Sequence, residues 1–184
     1  MSSSCKKLLS QMTFNQPLIN ILQNLVPFTT VPQKLHMLTK NFHAYSVLDV
    51  QTDNEGRKLV INIEIPNTKQ IFTLISVYAP NVTAHRINFF NELEHWITHF
   101  SKTPQHLIIG DDFNCSDKTD NQSKQLDRSY ETFTKLKILK DLNDAFNSCN
   151  PLKQDYTYVH PSDKSRNSTI DYILVSSAVL EFIK

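Results

Sequence analysis

The chain has 184 residues, 40% of them hydrophobic, and a formal net charge of +1, which suits one ordinary core better than a string of domains. Near-neutral charge excludes a general polyanion binder, so any phosphate-facing site has to be local. Cys5, Cys115 and Cys149 form an odd set without CxxC spacing, which argues against a disulfide framework or a cysteine zinc site and suits a reducing compartment.

The N-terminal stretch "MSSSCKKLLSQMTF" has no long apolar run after its lysines, and no later segment approaches the roughly 18 apolar residues of a membrane span. A soluble intracellular protein without a signal peptide is expected. From Met1 to Leu48 there is no Asp or Glu, while Lys6, Lys7, Lys34 and Lys40 are present. This is the composition of a basic leader or a fused foreign segment. Within it, "QPLINILQNLVPF" is apolar at helical spacing through Leu18, Ile21, Leu22 and Leu25, predicting a short helix that ends before Pro27.

After Asn41 the pattern turns strand-like. "FHAYSVLDV" and "RKLVINIEI" flank "QTDNEG", a turn in which Gly56 can take a positive φ. In the second stretch Leu59, Ile61, Ile63 and Ile65 alternate with Lys58, Val60, Asn62 and Glu64, predicting one buried and one mostly wetter face. A third strand, "IFTLISVYAP", stops at Pro80 for want of a backbone donor. The three together predict an antiparallel meander.

"TAHRINFFNELEHWITHF" follows as an amphipathic helix with Ile87, Phe90, Leu93, Ile97 and Phe100 on its stripe, Arg86, Glu92, Glu94 and His95 away from it, and Thr83 as N-cap. "QHLIIG" is short and apolar, a strand covered on both faces. "LDRSYETFTKLKILKDL" predicts a second helix, and "DYTYVH" and "STIDYILVS" two last strands. The mixture predicts an α/β sandwich, sheet against sheet with helices outside.

Chemistry concentrates in "LIIGDDFNCSD". The strand is expected to end at Gly110, whose missing Cβ permits a tight turn, so that Asp111 or Asp112 points into a cleft from a rigid element. Asn114, two residues beyond Asp112, shares its face in extended geometry. A carboxylate beside an amide suits a reaction that positions water or a metal and stabilises a charged oxygen. Taken alone, the stretch is better explained as an Asp-rich turn whose carboxylates cap loop amides. Asp171 is a second signal, because its neighbours Ile170, Ile173, Leu174 and Val175 are apolar and a carboxylate there needs a partner or a shifted pKa.

In order and spacing, "SVYAPN", a helix, "IIGDDFNC", "YTYVHPSD" and "STIDYILVS" resemble the endonuclease/exonuclease/phosphatase superfamily. "QLDRSYETFTKL" and "DLNDAF" are most similar to the endonuclease domain of non-LTR (LINE-type) retrotransposons. The resemblance runs from Leu38, leaving residues 1–37 as a leader without a match and residues 38–184 as a partial domain. It implies a four-layer α/β sandwich of two stacked, mostly antiparallel sheets, and hydrolysis of a DNA phosphodiester that depends on Mg²⁺ or Mn²⁺. By the same resemblance, Tyr78 and Asn81 contact the scissile phosphate, and Asp112 orients the water or assists the leaving group. Asn114 holds the phosphate oxyanion, Thr157 and Ser168 lie near the DNA backbone, and Asp171 orients a catalytic histidine. Asp112 and Asn114 would then be the metal ligands.

The sequence departs from that pattern in several places. Asp111 stands where the motif often has glycine, and Thr169 where it often has a basic residue. The family expects a metal-binding glutamate on its first strands, yet no carboxylate precedes Asp49. It also expects a closing Ser-Asp-His, yet no histidine follows His160. His36, His43, His85, His95, His99 and His106 are unmatched and are expected to be ordinary surface residues. A domain truncated at both ends is therefore expected, with little or no activity and with uncovered sheet edges that favour association. Two other readings stay open: a non-catalytic remnant or binding module, and a phosphoinositide or nucleotide phosphatase. The expected partner is the DNA phosphate backbone, with no membrane and no protein partner evident. A working DNA endonuclease would act in the nucleus, although no strong basic localisation cluster is present.

Overall fold

The computed structural model describes residues 45–116, 127–152, 156–162 and 167–183. The helix expected over "QPLINILQNLVPF" lies outside the described residues. The expected meander is present as β1 (Ser46–Thr52), β2 (Lys58–Ile65) and β3 (Gln70–Tyr78), each antiparallel to the next. Gly56 turns the first hairpin at a φ of 63°, a conformation that costs glycine nothing. Asp53 fastens the same turn, its Oδ1 accepting the amides of Arg57 at 2.7 Å and Lys58 at 3.1 Å.

A crossover helix, α1 (Thr83–Phe100), leads to β4 (Leu107–Asp112), which lies parallel to β3. The helix α2 (Arg128–Leu139) is followed by a three-residue strand, β5 (Leu142–Asp144), and a short helix, α3 (Ala145–Cys149). The last strand, β6 (Asp171–Ser176), is antiparallel to both β4 and β5 and runs into α4 (Ser177–Leu180). Six strands thus form one mixed, mostly antiparallel sheet in the order β1-β2-β3-β4-β6-β5. A second sheet is not found among the described residues, so the stacking of the expected sandwich is not seen there.

Each face of the sheet carries a core. One joins Val60, Ile75, Val77, Ile109 and Leu174 to Phe90, Leu93 and Ile97 of α1 and to Phe133 and Leu136 of α2. The other joins Ile61, Ile63, Phe72, Leu74, Ile173 and Val175 to Phe146 of α3 and Val179 of α4. Burial on both faces removes the wetter face expected of β2. Lys58 is 4% exposed and Asn62 fully buried beneath α1, where Asn62 Nδ2 donates to the Phe100 carbonyl at 3.0 Å and its Oδ1 accepts the Thr73 hydroxyl at 2.7 Å. A buried amide is tolerated when its hydrogen bonds are made.

Other expectations need correction. Val82, not Thr83, is the N-cap of α1, and no side chain caps it. Arg86 is 4% exposed and faces inward. β4 does not end at Gly110 but continues through Asp112, and the left-handed backbone falls one residue later, at Asp111, with φ 111°. Gly110 is paired on both sides, with Ser76 of β3 and Ile173 of β6, which keeps it extended. "DYTYVH" forms an isolated bridge between Tyr158 and Ser168 instead of a strand, whereas β5, unforeseen, pairs with β6.

Candidate active site at the ends of three central strands

The parallel pairing of β3 with β4 and the antiparallel pairing of β4 with β6 bring three residues of the motifs into one row. Tyr78 lies opposite Asp112, and Asp112 opposite Asp171. Directly opposed residues on neighbouring strands project to the same side, so this row stands at one end of the sheet, on its central strands.

Phe113 anchors the turn after Asp112. Fully buried, it packs on Phe133 at 5.0 Å and on Tyr172 at 5.7 Å between ring centroids, and its amide donates to the Ile170 carbonyl at 2.9 Å. With Phe113 fixed inward, Asp112 and Asn114 project from either side of it. Asn114 takes a left-handed φ of 47°, a conformation asparagine tolerates. Its amide donates to Asp112 Oδ1 at 2.8 Å, and its Nδ2 donates to the Ala79 carbonyl at 2.8 Å. Ala79 in turn donates its amide to the Asp112 carbonyl at 2.9 Å. The loops after β3 and β4 are thereby stitched together.

The two aspartates of "GDDFN" have separate places. Asp111 is 6% exposed, and its Oδ2 accepts the buried Ser76 hydroxyl at 3.3 Å. Asp112 is the more open of the two. Its carboxyl is pushed up to about 6, first by burial and then by the charges of Asp171 and Asp111, against the Asn114 amide and the Arg86 cation. Asp171 is 5% exposed and begins β6, positioned by Thr157, whose Oγ1 accepts the amides of Ile170 at 2.9 Å and Asp171 at 3.0 Å.

Of the remaining candidates, Asn81 is exposed in the loop after β3, with its carbonyl accepting from Arg86 Nη1 at 2.8 Å. Ser168 lies farther along the strand lead-in, paired through its backbone with Tyr158. Tyr78, Asp112, Asn114 and Asp171 thus sit together, Thr157 touches the backbone of Asp171, and Asn81 and Ser168 border the site. Among the histidines, His85, His95 and His99 are exposed on α1, whereas His106 is half-buried and stacked on Phe72 at 4.9 Å. His160 is half-buried, its amide donating to Asn167 Oδ1 at 3.0 Å. Cys115, next to Asn114, is buried with its thiol pushed up to about 11 by desolvation, which keeps it neutral and unreactive.

Two cations near the site escaped the reading of the sequence. Arg57 Nη1 donates to the Tyr78 carbonyl at 3.2 Å, and its guanidinium lies 5.5 Å from the centre of the Tyr78 ring. Arg86 reaches from α1 into the same region. Its signal was present: Arg86, Phe90, Leu93 and Ile97 follow one another at helical spacing on the buried stripe. Nothing in the local sequence could reveal Arg57, because its pairing with Tyr78 depends on the register of β2 with β3.

A divalent ion can be weighed against the donors present. Asp112 and Asn114 offer hard oxygens of the kind Mg²⁺ selects, and Mg²⁺ is held by as few as one or two carboxylates when water and phosphate complete its shell. Among the described residues, no three His, Cys, Asp or Glu side chains gather to hold a metal. The hard oxygens of Asp112 and Asn114 fit Mg²⁺ only with water or phosphate completing its shell.

Comparison with known proteins agrees with this architecture. The "Transposon TX1 uncharacterized 149 kDa protein" of Xenopus laevis is 30% identical over 124 residues, 66% of this chain and 9% of that protein. The endonuclease domain of TRAS1, a telomere-specific non-LTR retrotransposon, superposes with a TM-score of 0.52 at 16% identity, over 78% of this chain and 60% of that one. A mannosyl-6-phosphatase of Bacteroides thetaiotaomicron gives a TM-score of 0.54 at 14% identity, over 74% and 55%. The chain thus spans under two thirds of each of these relatives, and the two structures establish the fold alone. The sequence profile of the endonuclease-reverse transcriptase family matches residues 72–182, from β3 through α4. With more than half of its length matched, the chain belongs to the endonuclease-reverse transcriptase family, within the endonuclease/exonuclease/phosphatase superfamily.

Proposed function

We propose that the row at the strand ends is a phosphodiester-hydrolysing site that acts on the DNA backbone. The observation that carries this reading is the side-by-side placement of Tyr78, Asp112 and Asp171 on three adjacent strands, with Asn114 fastened beside them. Tyr78 and Asn81 contact the scissile phosphate, and Asp112 orients the attacking water or assists the leaving oxygen. Asn114 steadies the charge that develops on the phosphate. Asp171 supports this group as an acidic neighbour, while Thr157 and Ser168 line the approach of the DNA strand. Asp112 and Asn114 would hold Mg²⁺ or Mn²⁺, which when bound neutralises charge on the phosphate.

Acid-base assistance typically contributes about 10²–10⁴ in rate, and in this reading Asp112 is the group that supplies it. Supercoiled plasmid incubated with the purified chain in Mg²⁺ or Mn²⁺ tests the reading. Nicking is expected, lost on chelation and reduced at least about 100-fold by Asp112→Ala. Absence of nicking, or nicking untouched by Asp112→Ala, sinks it. Phosphate release from monoesters without nicking would favour a phosphatase, a reading in keeping with the fold shared with the mannosyl-6-phosphatase. Salt-sensitive retention of DNA without cleavage would favour a binding module.

A further inference from the structure

Arg86 is buried on the first turns of α1 and has all five of its N–H donors occupied. Nη1 donates to the carbonyls of Pro80 at 3.0 Å and Asn81 at 2.8 Å. Nη2 donates to Thr83 Oγ1 at 3.2 Å and pairs with Asp127 Oδ2. Nε donates to Ser129 Oγ at 2.7 Å. The recipients fall into two groups far apart in sequence: the stretch from Pro80 to Thr83 that leads into α1, and Asp127 and Ser129 at the start of α2.

Both groups are themselves tied to the site. Three consecutive carbonyls of the first loop are held from side chains, Ala79 by Asn114 and Pro80 and Asn81 by Arg86. In the second, Asp127 caps α2 by accepting the Ser129 amide at 3.0 Å and the Ser129 hydroxyl at 2.7 Å. The Ser129 oxygen also lies 3.5 Å from Cys115 Sγ, one residue beyond Asn114. A guanidinium offers five donors in a fixed planar fork, enough to meet all five of these acceptors, whereas a lysine ammonium has three.

We infer that Arg86 is a positioning residue: its guanidinium clamps the loop bearing Tyr78 and Asn81 to the Asp127–Ser129 cap of α2, and thereby sets where Asn81 and Asn114 stand relative to Asp112. Asp127 and Ser129 of "LDRS" are then an anchor whose acidic and hydroxyl groups hold the cation of another helix. Arg86 touches no substrate in this scheme. Its catalytic consequence rests on the phosphodiesterase reading, whereas the clamp itself does not.

The test compares Arg86→Lys, Ser129→Ala, Asp127→Asn and the double variant Arg86→Lys/Asp127→Asn with Ile63→Ala, which lowers stability from the opposite core. Amide hydrogen exchange over residues 79–83 is the first readout. Arg86→Lys is expected to speed it by about tenfold or more, Ser129→Ala by less, and Ile63→Ala not selectively. Unchanged exchange there in Arg86→Lys overturns the clamp, and if that variant does not fold, Ser129→Ala and Asp127→Asn decide the same question. Plasmid nicking is the second readout. Arg86→Lys should lower kcat about tenfold or more through misplacement of the loop, the double variant should be no worse, and Ile63→Ala should leave kcat near wild type while folded. A kcat that falls equally in Ile63→Ala reduces Arg86 to a purely structural residue. A wild-type chain that nicks nothing removes the phosphodiesterase reading, while the exchange result still decides the clamp.

Discussion

Lys58 and Asp112 lie near the same end of the sheet, both withdrawn from water, yet they are treated in opposite ways. The Lys58 ammonium pairs with Glu92 at 3.0 Å and Asp53 at 3.3 Å, and lies 4.8 Å from the centre of the Phe89 ring and 5.6 Å from that of Trp96. Two carboxylates and two aromatic rings there offset the cost of burying the charge. Around Asp112, burial and two further carboxylates oppose the charge, with one backbone amide and a more distant arginine in its favour. A protein selected for stability alone would pair Asp112 as it pairs Lys58. Strain left on one ionisable group, beside a neighbour so fully paired, supports the role proposed for Asp112.

Variants can break or sharpen that contrast. The largest effect on stability is expected from Lys58→Ala, which strips the cation from Asp53 and from the two rings and should cost about 3 kcal/mol, read by urea denaturation. A loss near zero would mean the pocket is no better paired than the acidic row.

Asp111 comes next, since it holds a φ of 111° in a region that suits glycine. Asp111→Gly and Asp111→Ala both lose the Ser76 contact and the charge, so their difference isolates the backbone. Glycine should exceed alanine by about 1–2 kcal/mol, the reverse of the ordinary order within a strand. Alanine as the more stable variant would show the conformation to be unstrained.

The smallest expected effect concerns Asp112. Because its folded carboxyl sits at about 6 against an ordinary 3.8, the folded protein binds the proton more tightly than the unfolded chain. That contribution to stability is fully present below 3.8 and is lost as the pH rises through about 6. In metal-free buffer Asp112→Asn should therefore stabilise the protein above that range by about 1 kcal/mol, after allowance for solvent screening. The gain should vanish in acid. A thermal melting difference independent of pH would place the strain elsewhere.

Local chemistry made much of this molecule legible in one dimension. The β-branched runs and the Gly56 turn announced the meander, and the break at Pro80 announced its end. The apolar spacing of Phe90, Leu93 and Ile97 announced α1, and Asp127, the side chain that caps α2, stood inside the "LDRS" motif. Site residues were visible through a resemblance in order and spacing, and individual signals such as Asp171 were weak. Three features were not legible. Lys58 and Asn62 looked like a wet face because the groups that cover them include Glu92 and Phe100 of α1, 34 and 38 residues later in the chain. The acceptors of Arg86 at Asp127 and Ser129, 41 and 43 residues later, could not be read from the helical spacing that placed it on the buried stripe. The end of β4 was assigned to Gly110, since composition points to glycine, whereas pairing with β3 and β6 continues through Asp112.

The sequence by itself determined the kinds of element, their order and the residues that carry charge or hydrogen bonds, because propensity and periodicity act over a few neighbouring positions. Only the tertiary structure decided which charges are compensated. Pairing register set Tyr78, Asp112 and Asp171 in one row, and helix packing brought Arg86 to Asp127 and Glu92 to Lys58. The energy of a buried charge is fixed by groups within a few ångströms in space, and distance along the chain does not say which groups those will be.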